Sequence, residues 1–141
     1  MRHLILELDG AVQAAYDKAG MEFRPRFYPV VKFLQARGAA GIVELAQACG
    51  VSQPGMTQTI QEMRRAGLLV SATSEDRRSR LIALSDKGRS VAAVLERTWQ
   101  AVDRAARELD EELPNSLSGT VDAALAALAE TSFASRIERH L

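Results

Sequence analysis

Two short helical patterns joined by a glycine constrain this chain more than any other stretch: Leu45-Ala46-Gln47-Ala48-Cys49-Gly50-Val51-Ser52-Gln53-Pro54-Gly55-Met56-Thr57-Gln58-Thr59-Ile60. Ile42 to Ala48 reads as a helix with Leu45 directed inward, and Gly50 supplies a left-handed backbone position at little steric cost. Ser52 can cap a second helix, because its side-chain oxygen accepts a free first-turn amide, and Pro54 stands where a missing N–H is tolerated. On that second helix Met56, Ile60 and Met63 share one side, while Gln53, Thr57, Gln58, Gln61 and Arg64 share much of the other. One face is built to pack and the other is left polar, which is the geometry of a helix that enters a DNA groove.

The surrounding pattern extends this module. After Gly67, Leu68-Leu69-Val70 and Leu81-Ile82-Ala83-Leu84 predict two strands around the charged turn Glu75-Asp76-Arg77-Arg78-Ser79-Arg80. A hairpin this small needs helices beneath it. Upstream, His3 to Ala19 predicts a helix burying Leu4, Leu8, Ala11, Val12 and Ala15, with Gly20 as its stop. A second helix is expected from Arg24-Pro25 to Arg37 through Phe27, Val30, Val31 and Leu34, with Pro29 bending its start. Ser85 caps a long helix over 86–113 with the seam Val91, Leu95, Thr98, Val102, Ala105 and Leu109, and Pro114 ends it. A single last helix is expected over 118–141, with Leu125, Leu128 and Ala129 on one side.

The expected fold is mainly α with a small β-hairpin wing, a winged helix-turn-helix with N- and C-terminal dimerisation helices. At 141 residues one domain is the natural reading. Its winged core falls near 25–88, and its helical dimerisation region near 1–20 and 89–141. The outer helices carry more apolar surface than the small core can cover, so an intertwined homodimer is expected; its two-fold axis would set both reading helices on successive turns of a palindromic site.

Composition narrows the function classes. The 18 basic and 18 acidic side chains cancel, so any DNA role must rest on local positive charge. That charge is concentrated between Arg64 and Arg89, whereas the stretch from Asp103 to Glu112 is acidic. A single cysteine, Cys49, makes neither an intrachain disulfide nor a four-ligand metal site, and His3 and His140 stand near opposite ends, so no metal site is expected. Asp110, Glu111 and Glu112 read as a solvated helix end without a nucleophile or pocket pattern, so neither catalysis nor a cofactor is expected. The first residues carry charge too early for a secretory core, and no uncharged apolar run approaches a membrane span; a cytoplasmic location with no membrane partner is the expectation.

The Leu45-Ala46 helix with Gly50-Val51-Ser52, the Gly67-Leu68-Leu69 exit, the wing Glu75-Asp76-Arg77-Arg78-Ser79-Arg80 and the closing Leu84-Ser85-Asp86-Lys87-Gly88 resemble the multiple-antibiotic-resistance regulator (MarR) family. The ordered motifs span roughly 42–88, and the flanking helices agree in placement. The resemblance implies a dimeric cytoplasmic transcription regulator that binds double-stranded DNA, often a repressor released by a small aromatic or phenolic ligand, with some members controlled by cysteine oxidation. It places the recognition surface on Ser52, Gln53, Thr57, Gln58 and Gln61; on the same helix Pro54 and Arg64 are further candidates from the residue pattern, and Gln58 and Gln61 are the preferred base readers. It places the wing contacts on Asp76, Arg77 and Arg78, with Arg80 as a further phosphate ligand; Asp76 would hold one guanidinium by a charge-assisted pair. Two positions depart from the family pattern. Gln58 stands where relatives often carry Arg, exchanging guanine contact for adenine pairing, and Gly55 replaces a small side chain inside the helix.

Tyr16, Phe27, Tyr28 and Trp99 are candidates for an effector pocket where the first two helices meet the long one, although aromatics at such junctions are more often core. Cys49 is the candidate redox residue; a buried inert thiol is the competing reading, since no neighbouring cation in sequence stabilises a thiolate. The alternative function is a winged-helix protein-interaction module without specific DNA binding, which zero net charge and Gln58 favour and Arg77 and Arg78 oppose.

Overall fold

A computed structural model of the chain describes residues 1–73 and 80–141. It resolves into two compact units, Met1–Trp99 and Gln100–Leu141.

In the first unit, α1 (Arg2–Lys18) leads through Gly20, at φ +70°, to a 3-10 turn (Pro25–Phe27) and α2 (Tyr28–Arg37). The single helix expected from Arg24 is thus split. Pro29 falls in the first turn of α2, where its missing N–H costs nothing, and the 3-10 turn carries the chain into it. β1 (Ala39–Ala40), α3 (Ile42–Cys49) and α4 (Gln53–Arg65) follow. β2 (Leu69–Thr73) and β3 (Arg80–Leu84) close a three-stranded antiparallel sheet in the order β1-β3-β2. Leu69 pairs with Leu84 and Ser71 with Ile82, a register that turns Leu69, Ile82 and Leu84 onto the core and leaves Val70 outside.

α5 (Asp86–Glu112) starts at a tight junction. Ser85 Oγ accepts the Gly88 N–H at 2.9 Å and donates to the Gly67 carbonyl at 2.5 Å, while the Ser85 N–H reaches the Leu68 carbonyl at 2.9 Å. The cap thereby ties the end of β3 to the chain entering β2. Within the first unit α5 buries Gly88, Ala92, Leu95 and Trp99. The expected seam kept Leu95 but was rotated by about one position, because the glycine lies against the Leu68 backbone and sets which face follows. Farther along, Val102 and Leu109 are half-buried and Ala105 is exposed.

One core cluster joins these elements, including Val30, Val31, Leu34, Leu45, Met56, Ile60, Met63, Leu68, Ile82, Leu84 and Leu95. The stripe expected on α1 behaves differently. Of its apolar residues only Tyr16 is buried, Val12 and Ala15 are half-buried, Ala11 is exposed, and Leu4 and Leu8 stay 39% and 41% exposed.

The second unit holds the end of α5, α6 (Leu117–Glu130) and α7 (Phe133–Glu138). The continuous final helix expected from the sequence is broken at Thr131 and Ser132. Thr131 is extended, and Ser132 Oγ accepts the Ser135 N–H at 3.1 Å, capping a new helix. Arg136 bridges the break by donating to the Ala127 carbonyl at 2.9 Å and the Thr131 carbonyl at 3.2 Å. Asp110, read as merely solvated, accepts Ser116 Oγ and the Leu117 N–H, each at 2.7 Å. Those bonds, the Ser116 hydroxyl first, hold its carboxyl below the usual range. No residue of α6 or α7 is buried.

Candidate nucleic-acid interface

The turn between α3 and α4 is built as its residues dictate. Gly50 takes φ +64° and the Val51 N–H reaches back to the Ala46 carbonyl at 3.0 Å, satisfying the end of α3. Ser52 Oγ then accepts the Gly55 N–H at 3.2 Å, and Pro54 lies in the first turn of α4. A Cβ on Gly55 would stand 3.1 Å from that capping oxygen, so the glycine leaves the cap its room.

α4 is anchored from below and open above. Met56, Ile60 and Met63 are 2%, 4% and 0% exposed, which fixes the helix rotation and therefore its opposite face. Ser52, Gln53, Pro54, Gln58, Gln61 and Arg64 are exposed on that side, in agreement with the pattern read from sequence. Thr57 is half-buried and its hydroxyl donates to the Gln53 carbonyl at 2.9 Å, so its hydrogen is committed within the helix. Arg64 leans toward β2, its guanidinium 3.5 Å from Ser71 Oγ. Arg65, not singled out from sequence, is exposed one position further.

On the hairpin, Arg80 is exposed at the start of β3, opposite Thr73. Asp76, Arg77 and Arg78 lie outside the described residues.

Sequence reasoning missed Arg26 and Glu62. Glu62, one turn beyond Gln58, accepts the Gln58 amide at 3.4 Å through one oxygen and the Arg26 guanidinium through the other. The Arg26 hydrogen bond is the main cause holding the Glu62 carboxyl below its usual range. The four-residue step from Gln58 to Glu62 was visible in the sequence, but nothing there indicated Arg26, which comes from another element. Both line an open, charged cavity of about 740 Å³ with Asp17, Arg24 and Arg65.

The four aromatics proposed for an effector pocket do converge, as a packed cluster. Tyr16, Phe27 and Trp99 are buried and Tyr28 is 39% exposed. Phe23, also missed, sits among them with ring centroids 5.0 Å from Tyr16, 5.5 Å from Phe27 and 5.9 Å from Trp99. The Trp99 Nε1–H donates to the Tyr16 hydroxyl at 3.1 Å, and Lys32 Nζ covers the Trp99 ring at 4.9 Å. Of the four, only Phe27 also reaches the charged cavity.

Cys49 is half-buried at the end of α3, and burial pushes its thiol up. Among the described residues there is no cluster of three or more metal-ligating side chains, and no helix is long and apolar enough to cross a membrane.

No protein-family model and no curated protein matches the sequence. Solved structures do. The transcriptional regulator MosR of M. tuberculosis, solved with DNA, is 23% identical over 96% of this chain and 94% of its own, with a TM-score of 0.71. The transcriptional repressor CouR, bound to a 23-mer duplex, is 27% identical over 92% of this chain and 87% of its own, with a TM-score of 0.62. NadR, in complex with 4-hydroxyphenylacetate, is 20% identical over 92% and 89%, with a TM-score of 0.60. MarR family transcription regulators recur among the other matches, one of them from Silicibacter pomeroyi. With a capped helix pair, a second helix whose polar face is turned outward by its buried methionines and a three-stranded sheet in the same unit, the chain has the winged helix-turn-helix fold of the MarR family of transcription regulators.

Proposed function

We propose that this protein is a sequence-specific, double-stranded DNA-binding transcription regulator that acts as a homodimer on a palindromic operator. The observation that carries the reading is the two-sided character of α4: a face locked by Met56, Ile60 and Met63 and an outer face bearing Gln53, Gln58, Gln61 and Arg64. The likeness to MosR and CouR, both solved with DNA, supports it. In this reading Gln58 and Gln61 address base edges, and Ser52, Gln53, Pro54 and Thr57 set the helix start against the backbone. Arg64 and the wing residues Arg77, Arg78 and Arg80 neutralise phosphates, with Asp76 orienting its neighbour. No step of this work is catalytic, and the regulator operates in the cytoplasm.

The winged core covers about 25–88, and the outer helices, 1–20 and 89–141, form the dimer. Leu4, Ile5 and Leu8 on α1 and Val121, Leu125 and Leu128 on α6, all at least 39% exposed in the single chain, supply the apolar surface for it. The regulator is a repressor released by a small aromatic or phenolic effector, a reading supported by the likeness to NadR with 4-hydroxyphenylacetate. Such a ligand acts by favouring a dimer in which the two reading helices no longer match successive grooves.

The test is selection of duplexes from a random pool by the purified protein, then anisotropy titration of the enriched site at two salt concentrations. A palindrome bound far more tightly than scrambled DNA, with an affinity that falls as salt rises, is the expected result. A folded dimer that enriches nothing at low salt refutes the reading and favours the protein-interaction module.

A further inference from the structure

At Gln58 residue type alone does not determine the readout, because a free glutamine amide can turn over and offer either its oxygen or its NH2 to a base. Here the amide is not free. Its neighbour Glu62 lies one helical turn away and faces it at 3.4 Å. Glu62 is itself pinned by Arg26, whose backbone sits between Pro25 and Phe27; the latter is 3% exposed, and its N–H closes the 3-10 turn on the Arg24 carbonyl at 2.9 Å. Glu62 is a carboxylate at neutral pH as any ordinary glutamate is, and the Arg26 hydrogen bond holds it further below its usual range. An ionised carboxylate has no proton to give, so the Gln58 atom facing it is the amide nitrogen.

We infer that Glu62, held by Arg26, is a positioning residue for sequence reading: it fixes the Gln58 amide so that the carbonyl oxygen and one N–H are presented outward, which favours adenine over guanine. The inference rests on the proposed DNA-reading role of α4. The chemistry follows from the base edges. Adenine offers an N6 donor for the oxygen and an N7 acceptor for the remaining N–H, whereas guanine offers two acceptors and opposes the oxygen. Without Glu62 the amide turns over and guanine is accommodated. The two-element clamp therefore converts an adaptable residue into a selective one.

The experiment takes the operator selected by the wild-type protein, locates with Gln58→Ala the base pair that Gln58 reads, and measures affinity for all four variants of that pair. Glu62→Ala is expected to shrink the adenine-to-guanine ratio by about fivefold or more, by weakening discrimination rather than all binding. Glu62→Gln, whose amide can donate as well as accept and so no longer dictates which Gln58 atom faces it, is expected to lose part of the ratio. Arg26→Met, which leaves Glu62 in place without its anchor, is expected to lose less than Glu62→Ala. Circular-dichroism melting confirms that each variant is folded. A Glu62→Ala protein whose affinity falls equally for all four base pairs, or whose ratio is unchanged, overturns the inference while leaving the regulator reading intact. A wild-type protein with no base preference anywhere overturns both.

Discussion

Replacing Gly88 with alanine tests the junction on which the winged core is assembled. An added Cβ would stand 2.2 Å from the Leu68 carbonyl oxygen and 3.1 Å from its carbon, where real Cβ contacts stop near 3.0 Å, so the two backbones must part by about 0.8 Å. Leu68 has nowhere to retreat. Its side chain is 2% exposed, its N–H is bonded to the Met63 carbonyl at 2.9 Å, and its carbonyl takes the Ser85 N–H at 2.9 Å. Overpacking of this kind costs about 1–3 kcal/mol. Weakening the Ser85 bond adds about 1 kcal/mol. A total near 2–4 kcal/mol corresponds to a melting temperature lower by about 5–15 °C for a chain of this length. Equilibrium urea unfolding followed by the fluorescence of Trp99, the single tryptophan, reads the change directly at matched protein concentration. A loss below about 1 kcal/mol would refute the argument, because it would mean that the α5 start slides away from β2 at no cost.

The remaining predictions address other parts of the molecule. Gly10→Ala lies in α1 with nothing within 4 Å of the added carbon, so it should stabilise the protein by about 0.5–1 kcal/mol in the same urea assay. Tyr16→Phe leaves the buried Trp99 N–H without its acceptor and should cost about 1–3 kcal/mol. Burial raises the Tyr16 phenol above its ordinary value near 10, against the smaller downward pull of Trp99. Folding therefore favours the neutral phenol, its contribution is intact below about pH 10 and is lost as pH climbs through the folded value, and Tyr16→Phe should flatten that alkaline limb of stability against pH. Cys49, with its thiol pushed up by burial, should react with a maleimide much more slowly in native than in urea-unfolded protein; equal rates would restore it as a redox candidate.

What the sequence disclosed and what it withheld divide along the range of the interactions. Gly50, Ser52 and the Met56, Ile60 and Met63 stripe were legible because each acts within a turn or two of its own backbone. β1 was not: two alanines carry no alternation, and they become a strand only because β3 pairs Ala83 and Ile82 with them. The rotation of α5 was hidden for the same reason, since the close approach of Gly88 to Leu68 has no periodic signature. The break at Thr131 and Ser132 had a local signal, a serine able to cap, that the apolar spacing of α6 outweighed in the reading. In the candidate site the outward face of α4 followed from its buried face, but the Arg26 clamp on Glu62 joins positions 36 residues apart and required the fold.

The exposed apolar residues of the outer helices lead to a prediction about assembly that separates surface from interface. Leu8 on α1 is 41% exposed and Leu125 on α6 is 60% exposed, so roughly half of each side chain has water to lose when a partner covers it. Full burial of a leucine is worth about 1.5–3 kcal/mol, which leaves about 0.75–1.5 kcal/mol for each half-covered site. Two-fold symmetry counts every substitution twice. Leu8→Ala or Leu125→Ala should therefore weaken the proposed dimer by about 1.5–3 kcal/mol, or roughly 10- to 150-fold in its dissociation constant, measured by sedimentation over a dilution series. Because neither residue belongs to the buried core cluster, far-ultraviolet circular dichroism should keep its shape. Affinity for a palindrome should fall with dimer dissociation at low protein concentration and recover at high concentration, since α4 itself is untouched. A dissociation constant unchanged by both substitutions would place the contact elsewhere and leave these leucines as ordinary exposed side chains.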